Sequence, residues 1–214
     1  DILPAFDEAD LYLSLSDIIL GAQIGQGAFS KVYVGRYQGE LVAVKKQKRA
    51  DDELETYLLR ELAVLKHFQH ENMIRYVGGT QVCQPDGTAH VYIVTELAEH
   101  GDVLALLLCG AAIGWRLRAS ILLDATRALE YLHGKRLIHR DIKSANLLLD
   151  RNFNCKLAGE FVSYFGMARP LGLNMTIVGT DAYIAPELMF DEPYNTAADM
   201  FSLGVVAWES IYRK

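Results

Sequence analysis

The chain reads His139-Arg140-Asp141-Ile142-Lys143-Ser144-Ala145-Asn146 about two-thirds of the way along its 214 residues. Phosphoryl transfer needs a carboxylate that orients the attacking hydroxyl, a cation near the moving phosphate, and an oxygen ligand for Mg²⁺. Asp141, Lys143 and Asn146 offer these three groups close together. The spacing therefore predicts a phosphoryl-transfer loop, placed between a helix and a pair of strands.

A glycine-rich segment lies far upstream, at Ile24-Gly25-Gln26-Gly27-Ala28-Phe29-Ser30-Lys31-Val32. Glycines let backbone N–H groups approach phosphate oxygens because no Cβ stands in the way. Taken alone, the segment is equally compatible with a plain turn. A dinucleotide-binding fold is disfavoured, because it needs a helix directly after the glycines, and a strand, a turn and a second strand are predicted there.

A lysine and a glutamate follow the glycines in a suggestive order. Ala43-Val44-Lys45 lies on the second predicted strand after the loop, and Glu61 lies on the helix that comes next. A lysine in this place can neutralise the phosphates of a nucleotide, and a glutamate on the helix can hold that lysine in position. The alternative is that both are solvated surface charges. Their order after a glycine-rich loop favours the nucleotide site.

The pattern of apolar residues changes near residue 100. Short β-branched runs and turn signals predict strands at Lys31–Gly35, Leu41–Val44 and His90–Thr95, with one helix between Asp51 and His67. Beyond residue 100 the spacing becomes helical. One long helix is predicted from the face marked by Leu117, Ile121, Ala125, Leu129 and Leu132, with Gly134 as its C-terminal cap, and a last helix over 195–212. The region between these two helices reads as loop-rich.

Composition excludes several classes of protein. The chain is 51% hydrophobic and 22% charged, which excludes wholesale disorder. Its net charge of −6 disfavours a nucleic-acid binder, which normally presents a basic face. Its three cysteines lack close spacing, which disfavours a disulfide framework or a zinc site and suits a reducing compartment. The most apolar run, Val103 to Trp115, is too short to span a bilayer. We therefore expect a cytoplasmic location and no membrane contact.

From about Asp17 to its end, the chain resembles a eukaryotic protein kinase catalytic domain, because further segments match that family. The segment 179–187, Gly-Thr-Asp-Ala-Tyr-Ile-Ala-Pro-Glu, resembles the end of an activation segment, and 199–204 resembles the buried helix that anchors the catalytic loop. Thr95-Glu96-Leu97-Ala98 falls at the family's gatekeeper and adenine-binding hinge, followed by Asp102 near the ribose. Lys143, two residues after Asp141, is the serine/threonine pattern. The kinship is closest to the tyrosine-kinase-like group, which includes Raf-like and mixed-lineage kinases.

The resemblance implies an α+β, bilobal fold: a small antiparallel sheet with one helix, then a mostly helical lobe. We expect a leader over 1–16 and a kinase domain over 17–214, divided into lobes 17–97 and 98–214. The implied activity is transfer of the γ-phosphate of ATP, with Mg²⁺, to serine and threonine hydroxyls of protein substrates in signalling. The alternative is a pseudokinase, a nucleotide-binding or scaffolding module without turnover.

The resemblance also assigns roles to residues. It implies catalytic roles for Asp141 as base, for Lys143 at the transferring phosphoryl group, and for Lys45 held by Glu61. Asn146 is the implied metal ligand, Thr180 shapes the substrate site, and Thr176 is a candidate phosphorylation site that Arg140 would pair with. The implied nucleotide-binding residues are Ile24, Gly25, Gln26, Gly27, Ala28, Phe29, Ser30, Val32, Ala43, Lys45, Thr95, Glu96, Ala98 and Asp102.

One departure from the family puts turnover in question. The family expects Asp-Phe-Gly after a strand like Cys155-Lys156-Leu157-Ala158, but the chain continues Gly159-Glu160-Phe161-Val162-Ser163-Tyr164-Phe165-Gly166. Tyr164 stands where the metal-binding aspartate belongs, with extra residues before it, and a phenol does not replace a hard carboxylate ligand at neutral pH. Glu160-Phe161 is a shifted substitute. Replacing 159–164 with one Asp would restore the motif, which suggests a retained intron or a splice variant.

The two ends carry a second expectation. The chain begins at Asp1 without a methionine and stops at Lys214 within a helical pattern. In the family, further helices complete the lower lobe and supply the arginine that pairs with Glu187. We therefore expect a truncated kinase lobe, with flanking domains lost.

Overall fold

The structure is a computed structural model, and it describes residues 11–27, 30–48, 58, 62–83, 88–159, 163–164, 181–190 and 193–212. The chain divides into two compact units. The β unit comprises residues 1–69 and 74–97, and the helical unit comprises residues 70–73 and 98–214.

The β unit is built on one antiparallel sheet of five strands in the order β1-β2-β3-β5-β4. The strands are β1 (Ile18–Gln26), β2 (Ser30–Tyr37), β3 (Glu40–Lys48), β4 (Tyr76–Cys83) and β5 (Ala89–Glu96). The three strands predicted from sequence are confirmed as the inner parts of β2, β3 and β5. Gln38 and Gly39, with φ of 49° and 88°, join β2 to β3. Positive φ at both central residues is the mark of a two-residue hairpin turn.

Side-chain alternation places one apolar cluster on a face of this sheet. Val42 and Val44 of β3 are 3% and 0% exposed and pack with Tyr92 and Val94 of β5. Leu13, which precedes β1, belongs to the same cluster, and its backbone N–H donates to the carbonyl of Gly79 at 2.9 Å. Successive residues of a strand point to opposite faces. Ala43 and Lys45 therefore lie on the other face of β3.

The predicted helix between Asp51 and His67 is confirmed in its described part. Residue 58 is helical, and a helix, α1, covers residues 62–67, with Leu62 and Leu65 buried. The remaining residues of the predicted span lie outside the described ones.

The helical unit contains α2 (Val103–Leu108), α3 (Trp115–Gly134), α4 (Pro186–Met189) and α5 (Ala197–Tyr212). Four short strands lie between α3 and α4: β6 (Leu137–Ile138), β7 (Leu147–Leu149), β8 (Cys155–Leu157) and β9 (Ser163–Tyr164). They form two pairs, β6 with β9 and β7 with β8. The region read as loop-rich thus carries short strands that place residues 139–146 between β6 and β7. The predicted α+β kinase-type fold is confirmed.

The predicted cap of α3 is wrong. Gly134 is the last residue of the helix, and the left-handed conformation falls on Arg136, with φ of 60°. Three carbonyls of the last turn accept hydrogen bonds from the backbone N–H of Lys135. The chain therefore leaves α3 without a left-handed glycine.

Among the described residues, no helix combines the length and the apolar content needed to cross a bilayer.

Gly35 supports a test of the sheet packing. A Cβ at Gly35 would lie 2.8 Å from Cγ2 of Val44 and 3.3 Å from the carbonyl oxygen of Ile19. We expect Gly35→Ala to lower the free energy of unfolding by about 1–3 kcal/mol, as overpacking typically does. Urea denaturation measures it. Gly134→Ala is the control, because its Cβ would meet no heavy atom within 4 Å. Equal losses for both variants would contradict the packing described.

Candidate active site

The three residues predicted for phosphoryl transfer lie in direct contact. The side-chain amide of Asn146 donates to Oδ2 of Asp141 at 2.8 Å and to its backbone carbonyl at 2.7 Å. Nζ of Lys143 lies 3.0 Å from the same Oδ2. Both side-chain contacts fall on one carboxylate oxygen. Within the described part of the chain, Oδ1 of Asp141 is therefore the oxygen available to an incoming hydroxyl.

Local backbone structure brings these side chains together. Residues 139–143 leave β6 without regular structure, and Ser144–Asn146 form one 3₁₀ turn that leads into β7. The backbone N–H of Asn146 donates to the carbonyl of Lys143, and the carbonyl of Asn146 accepts from Ala158 beyond β8, both at 2.9 Å. The β7–β8 pair thus fixes the far end of the loop.

A buried carboxylate fixes the near end. Asp199, at the start of α5, is fully buried and accepts from the backbone N–H groups of His139 at 2.9 Å and Arg140 at 2.8 Å. Nε2 of His133 in α3 contacts the same carboxylate at 2.8 Å. The sequence placed 199–204 as the anchor of the loop, and these bonds are that anchor. Arg140 adopts φ of 68°, a left-handed conformation that this pair of bonds holds in place.

Opposing effects act on the pKa of Asp199. Burial alone would raise it, but the hydrogen bond with His133 and the backbone N–H groups of His139 and Arg140 outweigh burial and leave the pKa below its ordinary value. Asp199 is therefore an anion at neutral pH, and charged acceptors make the stronger hydrogen bonds.

His139 is buried in a neutral form with a defined tautomer. Nδ1 accepts from the backbone N–H of Asp141 at 3.2 Å, and Nε2 lies 3.1 Å from the carbonyl of Ala158. The proton is therefore assigned to Nε2, which donates to that carbonyl. Burial lowers the pKa of His139, and the nearby charges of Asp199 and Asp141 only partly oppose it. The ring thus links the backbone of Asp141 to the end of β8.

In the β unit, the strand register brings several predicted nucleotide-binding residues onto one face. Gly25 pairs with Val32, Val32 with Lys45, and Ala43 with Thr95 across neighbouring strands. Paired residues share a face. Val32, Ala43, Lys45 and Thr95 therefore lie together, opposite the apolar cluster, with Gly25 in the same row.

The other predicted nucleotide-binding residues have varied places. Gly27 N–H donates to the carbonyl of Ser30 at 2.8 Å, which closes the described part of the glycine-rich loop. Ile24 falls in a register shift of β1 and is 53% exposed. Oε1 of Glu96 accepts from the backbone N–H of Arg75 at 2.8 Å. Asp102 caps α2 by accepting from the N–H of Ala105 at 2.7 Å.

Some predicted residues lie outside the described ones. These are Glu61, Ala28, Phe29, Thr176 and Thr180. Their assigned roles remain predictions.

The sequence reasoning missed a second set of contacts on the loop. Oγ of Ser144 lies 3.1 Å from the hydroxyl of Tyr183, which donates to Glu209 of α5 at 2.6 Å. Oγ of Ser202 donates to the carbonyl of Tyr183 at 2.6 Å. Burial and the bond to Glu209 raise the pKa of Tyr183 to about 12. No spacing rule connects these four residues, because they meet only through the fold.

Asp124 was also missed, although the sequence carried a signal for it. It lies on the apolar stripe of α3, is 7% exposed, and accepts from the backbone N–H of Cys155 at 3.0 Å. A carboxylate within an apolar helical stripe needs a buried partner. That partner is the first residue of β8.

The donor set suits Mg²⁺ only in company with phosphates. The described residues contain no group of three or more His, Cys, Asp or Glu side chains placed to hold a metal. Asn146 uses its amide nitrogen on Asp141, which leaves its oxygen for a cation, with Asp141 as the adjacent carboxylate. Mg²⁺ commonly takes one or two protein ligands and completes its shell with substrate phosphates and water. The residues present fit that pattern.

A comparison with protein families settles the wider kinship. The family model for the protein kinase domain matches residues 18–214. The chain belongs to this family. The relatives of this kinase domain include a probable serine/threonine-protein kinase, kinX, of Dictyostelium discoideum, 38% identical over 99% of the chain and 19% of that protein.

Two further relatives agree with the serine/threonine class. A RasGEF domain-containing serine/threonine-protein kinase of Dictyostelium discoideum is 39% identical over 88% of the chain and 19% of its own length. A putative serine/threonine-protein kinase/receptor of Acanthamoeba polyphaga mimivirus is 34% identical over 92% of the chain and 12% of its own length. The kinase domain thus spans about a fifth or less of these relatives. The predicted protein kinase family is confirmed, and these relatives are serine/threonine-protein kinases by name.

The neutral state of His139 predicts a pH-dependent stability. Burial lowers the pKa of His139 in the folded chain below its value in the unfolded chain, which is about 6.5. As the pH falls through about 6.5, the unfolded chain therefore binds a proton at this residue before the folded chain does. Stability from this group is therefore present above that pH and is lost on acidification, at up to about 1.4 kcal/mol per pH unit for one proton. Urea denaturation between pH 7.5 and 5.5 should show a smaller loss in His139→Gln than in the unmodified domain. Identical slopes would contradict the assignment.

Proposed function

We propose that this kinase domain is an ATP- and Mg²⁺-dependent protein serine/threonine kinase of the tyrosine-kinase-like group, acting on protein substrates in signalling. The observation that supports it best is the contact of Asp141 with both Lys143 and Asn146. A carboxylate that has both a cation and a side-chain amide within hydrogen-bond reach fits what phosphoryl transfer to a hydroxyl requires. Composition supports the expected cytoplasmic location.

Each residue of the loop has a part in the proposed reaction. Oδ1 of Asp141 accepts the hydrogen bond of the substrate hydroxyl, orients its oxygen and takes its proton. Lys143, held 3.0 Å from Oδ2, offsets negative charge on the phosphoryl group. Asn146 would hold a metal ion through its amide oxygen. Bound Mg²⁺ would supply neutralisation of charge on the phosphates.

In the β unit, we propose that one face of the sheet binds the nucleotide. Val32 and Ala43 would pack on the adenine, Lys45 with Glu61 would hold the phosphates, and Gly25 and Gly27 would let backbone N–H groups reach them. The adenine edge would bind at Glu96 and Ala98, beside Thr95, and the ribose near Asp102. The register supports this proposal, because Val32, Ala43, Lys45 and Thr95 share a face. We also propose that residues 1–16 are a leader and that the kinase domain divides into lobes over 17–97 and 98–214.

One observation favours the pseudokinase alternative. A Cβ at Gly159 would lie 3.0 Å from Nδ2 of Asn146, so position 159 is next to the proposed metal ligand. A glycine there offers no carboxylate, and its φ of 124° is a conformation that L side chains rarely adopt. At position 159 the chain thus supplies no carboxylate beside Asn146 that could act as a second metal ligand. Both the sequence, with Tyr164 before Phe165-Gly166, and this geometry support an impaired metal site.

A transfer assay tests the proposed base. We expect Asp141→Asn to lower phosphoryl transfer from ATP by about 10²–10⁴-fold, because the amide accepts no proton from the hydroxyl. The readout is labelled phosphate transferred to random-sequence peptides with a fixed serine, threonine or tyrosine. Serine and threonine peptides should be labelled, and tyrosine peptides should not. Glu130→Gln, which removes an exposed carboxylate of α3, is the control and should leave the rate unchanged.

A change to the segment 159–164 distinguishes the proposed active kinase from the pseudokinase alternative. Replacing 159–164 with a single Asp should raise transfer by about 10²–10³-fold, which is the typical worth of one charge-stabilising group. Replacement with a single Asn is the matched control and should not raise it. A thermal shift with ATP, with and without Mg²⁺, reports binding separately. Equal background transfer from the unmodified domain and Asp141→Asn would reject turnover. A persisting ATP shift would then assign the domain to the nucleotide-binding pseudokinases.

A further inference from the structure

The β unit carries a basic groove on the sheet face opposite the proposed nucleotide face. The groove has a volume of about 380 Å³. Its lining includes Lys31 and Tyr33 of β2, Lys46 and Lys48 of β3, and His90 of β5, at the described end of the glycine-rich loop. The register pairs Lys31 with Lys46 and Lys48 with His90. Three ammonium groups thus lie on adjacent strands of one sheet.

These lysines have no anionic partner in the part of the chain that the structure describes. No described carboxylate lies within ion-pair distance of Lys31, Lys46 or Lys48. Lys46 lies 5.6 Å from the ring centroid of Tyr92, a contact that holds the cation without neutralising it. Like charges on neighbouring strands repel one another. An anionic ligand would relieve that repulsion.

The chain itself contains an anionic segment of suitable charge. Residues 1–10, Asp-Ile-Leu-Pro-Ala-Phe-Asp-Glu-Ala-Asp, carry four carboxylates and no basic side chain. This segment precedes Leu11, the first described residue, and lies outside the described ones. Its charges, Asp1, Asp7, Glu8 and Asp10, complement those of the groove.

The first described residues tether this segment to the same sheet. Leu13 packs in the apolar cluster with Val44 and Tyr92, on the face that also presents Lys46. Its backbone N–H donates to Gly79 of β4, and the side chain of Leu11 lies beside Gly79 as well. The acidic segment therefore starts at β4, in the same unit as the groove.

The segment is long enough to reach the lysines. Strand order places β5 between β4 and β3, and β2 beyond β3. With neighbouring strands about 4.8 Å apart, β3 is about 10 Å and β2 about 14 Å from β4. Extended chain covers about 3.3 Å per residue, so Asp7 reaches about 13 Å from Leu11 and Asp1 about 33 Å. Asp7 and Glu8, which reach about 13 Å and 10 Å, are thus within range of β3 and its lysines Lys46 and Lys48, and Asp1 is within range of Lys31.

We propose that residues 1–10 bind in the basic groove of the same chain, through ion pairs of Asp7 and Glu8 with Lys46 and Lys48. A short tether gives such a segment an effective concentration in the millimolar range, so weak surface pairs suffice. The groove also includes Gln26, Gly27 and Ser30. Binding there places the segment against the glycine-rich loop.

Zero-length carbodiimide coupling on the full chain tests this contact, because it joins a carboxylate to an amine only when the two touch. Mass spectrometry should find Asp7 or Glu8 joined to Lys46 or Lys48. In a mixture of isotope-labelled and unlabelled chains, each link should join two residues of the same chain, so that both carry the label or neither does. Links only between isotopes would overturn the proposal and assign the groove to a second copy. No links, or links only to Lys135 and Lys156, would also overturn it.

A binding experiment tests whether the segment occupies the groove. The probe is fluorescein-labelled hexaglutamate at low salt. Neutralising the segment with Asp7→Asn, Glu8→Gln and Asp10→Asn should tighten probe binding by about tenfold, because the tethered competitor is removed. Adding Lys31→Gln, Lys46→Gln and Lys48→Gln should abolish that gain. Adding Arg116→Gln, Lys135→Gln and Arg151→Gln, three exposed cations of the helical unit, should preserve it.

Equal probe affinity for the unmodified and the segment-neutralised chain would overturn the proposal. A gain that survives loss of the groove lysines would overturn it as well. Neither experiment uses phosphoryl transfer, so its outcome is independent of the proposed activity.

Discussion

The site depends on one buried carboxylate. Asp199 of α5 accepts the backbone N–H groups of His139 and Arg140, and it is an anion because these donors and His133 outweigh the cost of burial. Removing one partner of such a buried charged group is strongly destabilising, since the remaining groups lose their hydrogen bonds in an apolar surrounding. The position of the backbone that carries Asp141 therefore depends on the contact between α3 and α5 at Asp199.

From that anchor, the catalytic loop is held at three further points. His139 ties the backbone of Asp141 to Ala158, Asn146 ties its side chain to the 3₁₀ turn, and Ser144 contacts Tyr183. Catalytic groups must keep their positions to within fractions of an ångström for full effect. A neutral ring, an amide and a hydroxyl supply this rigidity without adding charge beside Asp141.

Sequence patterns predicted what depends on local spacing and failed where partners are distant. The order of Lys31–Gly35, Leu41–Val44 and His90–Thr95 gave the sheet, and one short motif placed Asp141, Lys143 and Asn146 together, because neighbours in sequence are neighbours in a loop. The bonds of Tyr183 to Glu209 and of Asp124 to Cys155 join residues 26 and 31 positions apart, which no spacing rule reaches. The predicted glycine cap of α3 is wrong, because Arg136 adopts the left-handed conformation that was expected of a glycine.

The central claim is that Asp199 fixes the backbone of the loop that carries Asp141, and amide hydrogen exchange tests it most directly. In the unmodified domain, the amides of His139 and Arg140 should exchange slowly, because both donate to a buried anion. In Asp199→Asn, protection of these two amides should fall by about tenfold or more, as loss of a charge-assisted hydrogen bond predicts, while the amides in the middle of α3 keep theirs. Unchanged protection at His139 and Arg140 in the variant would contradict the account.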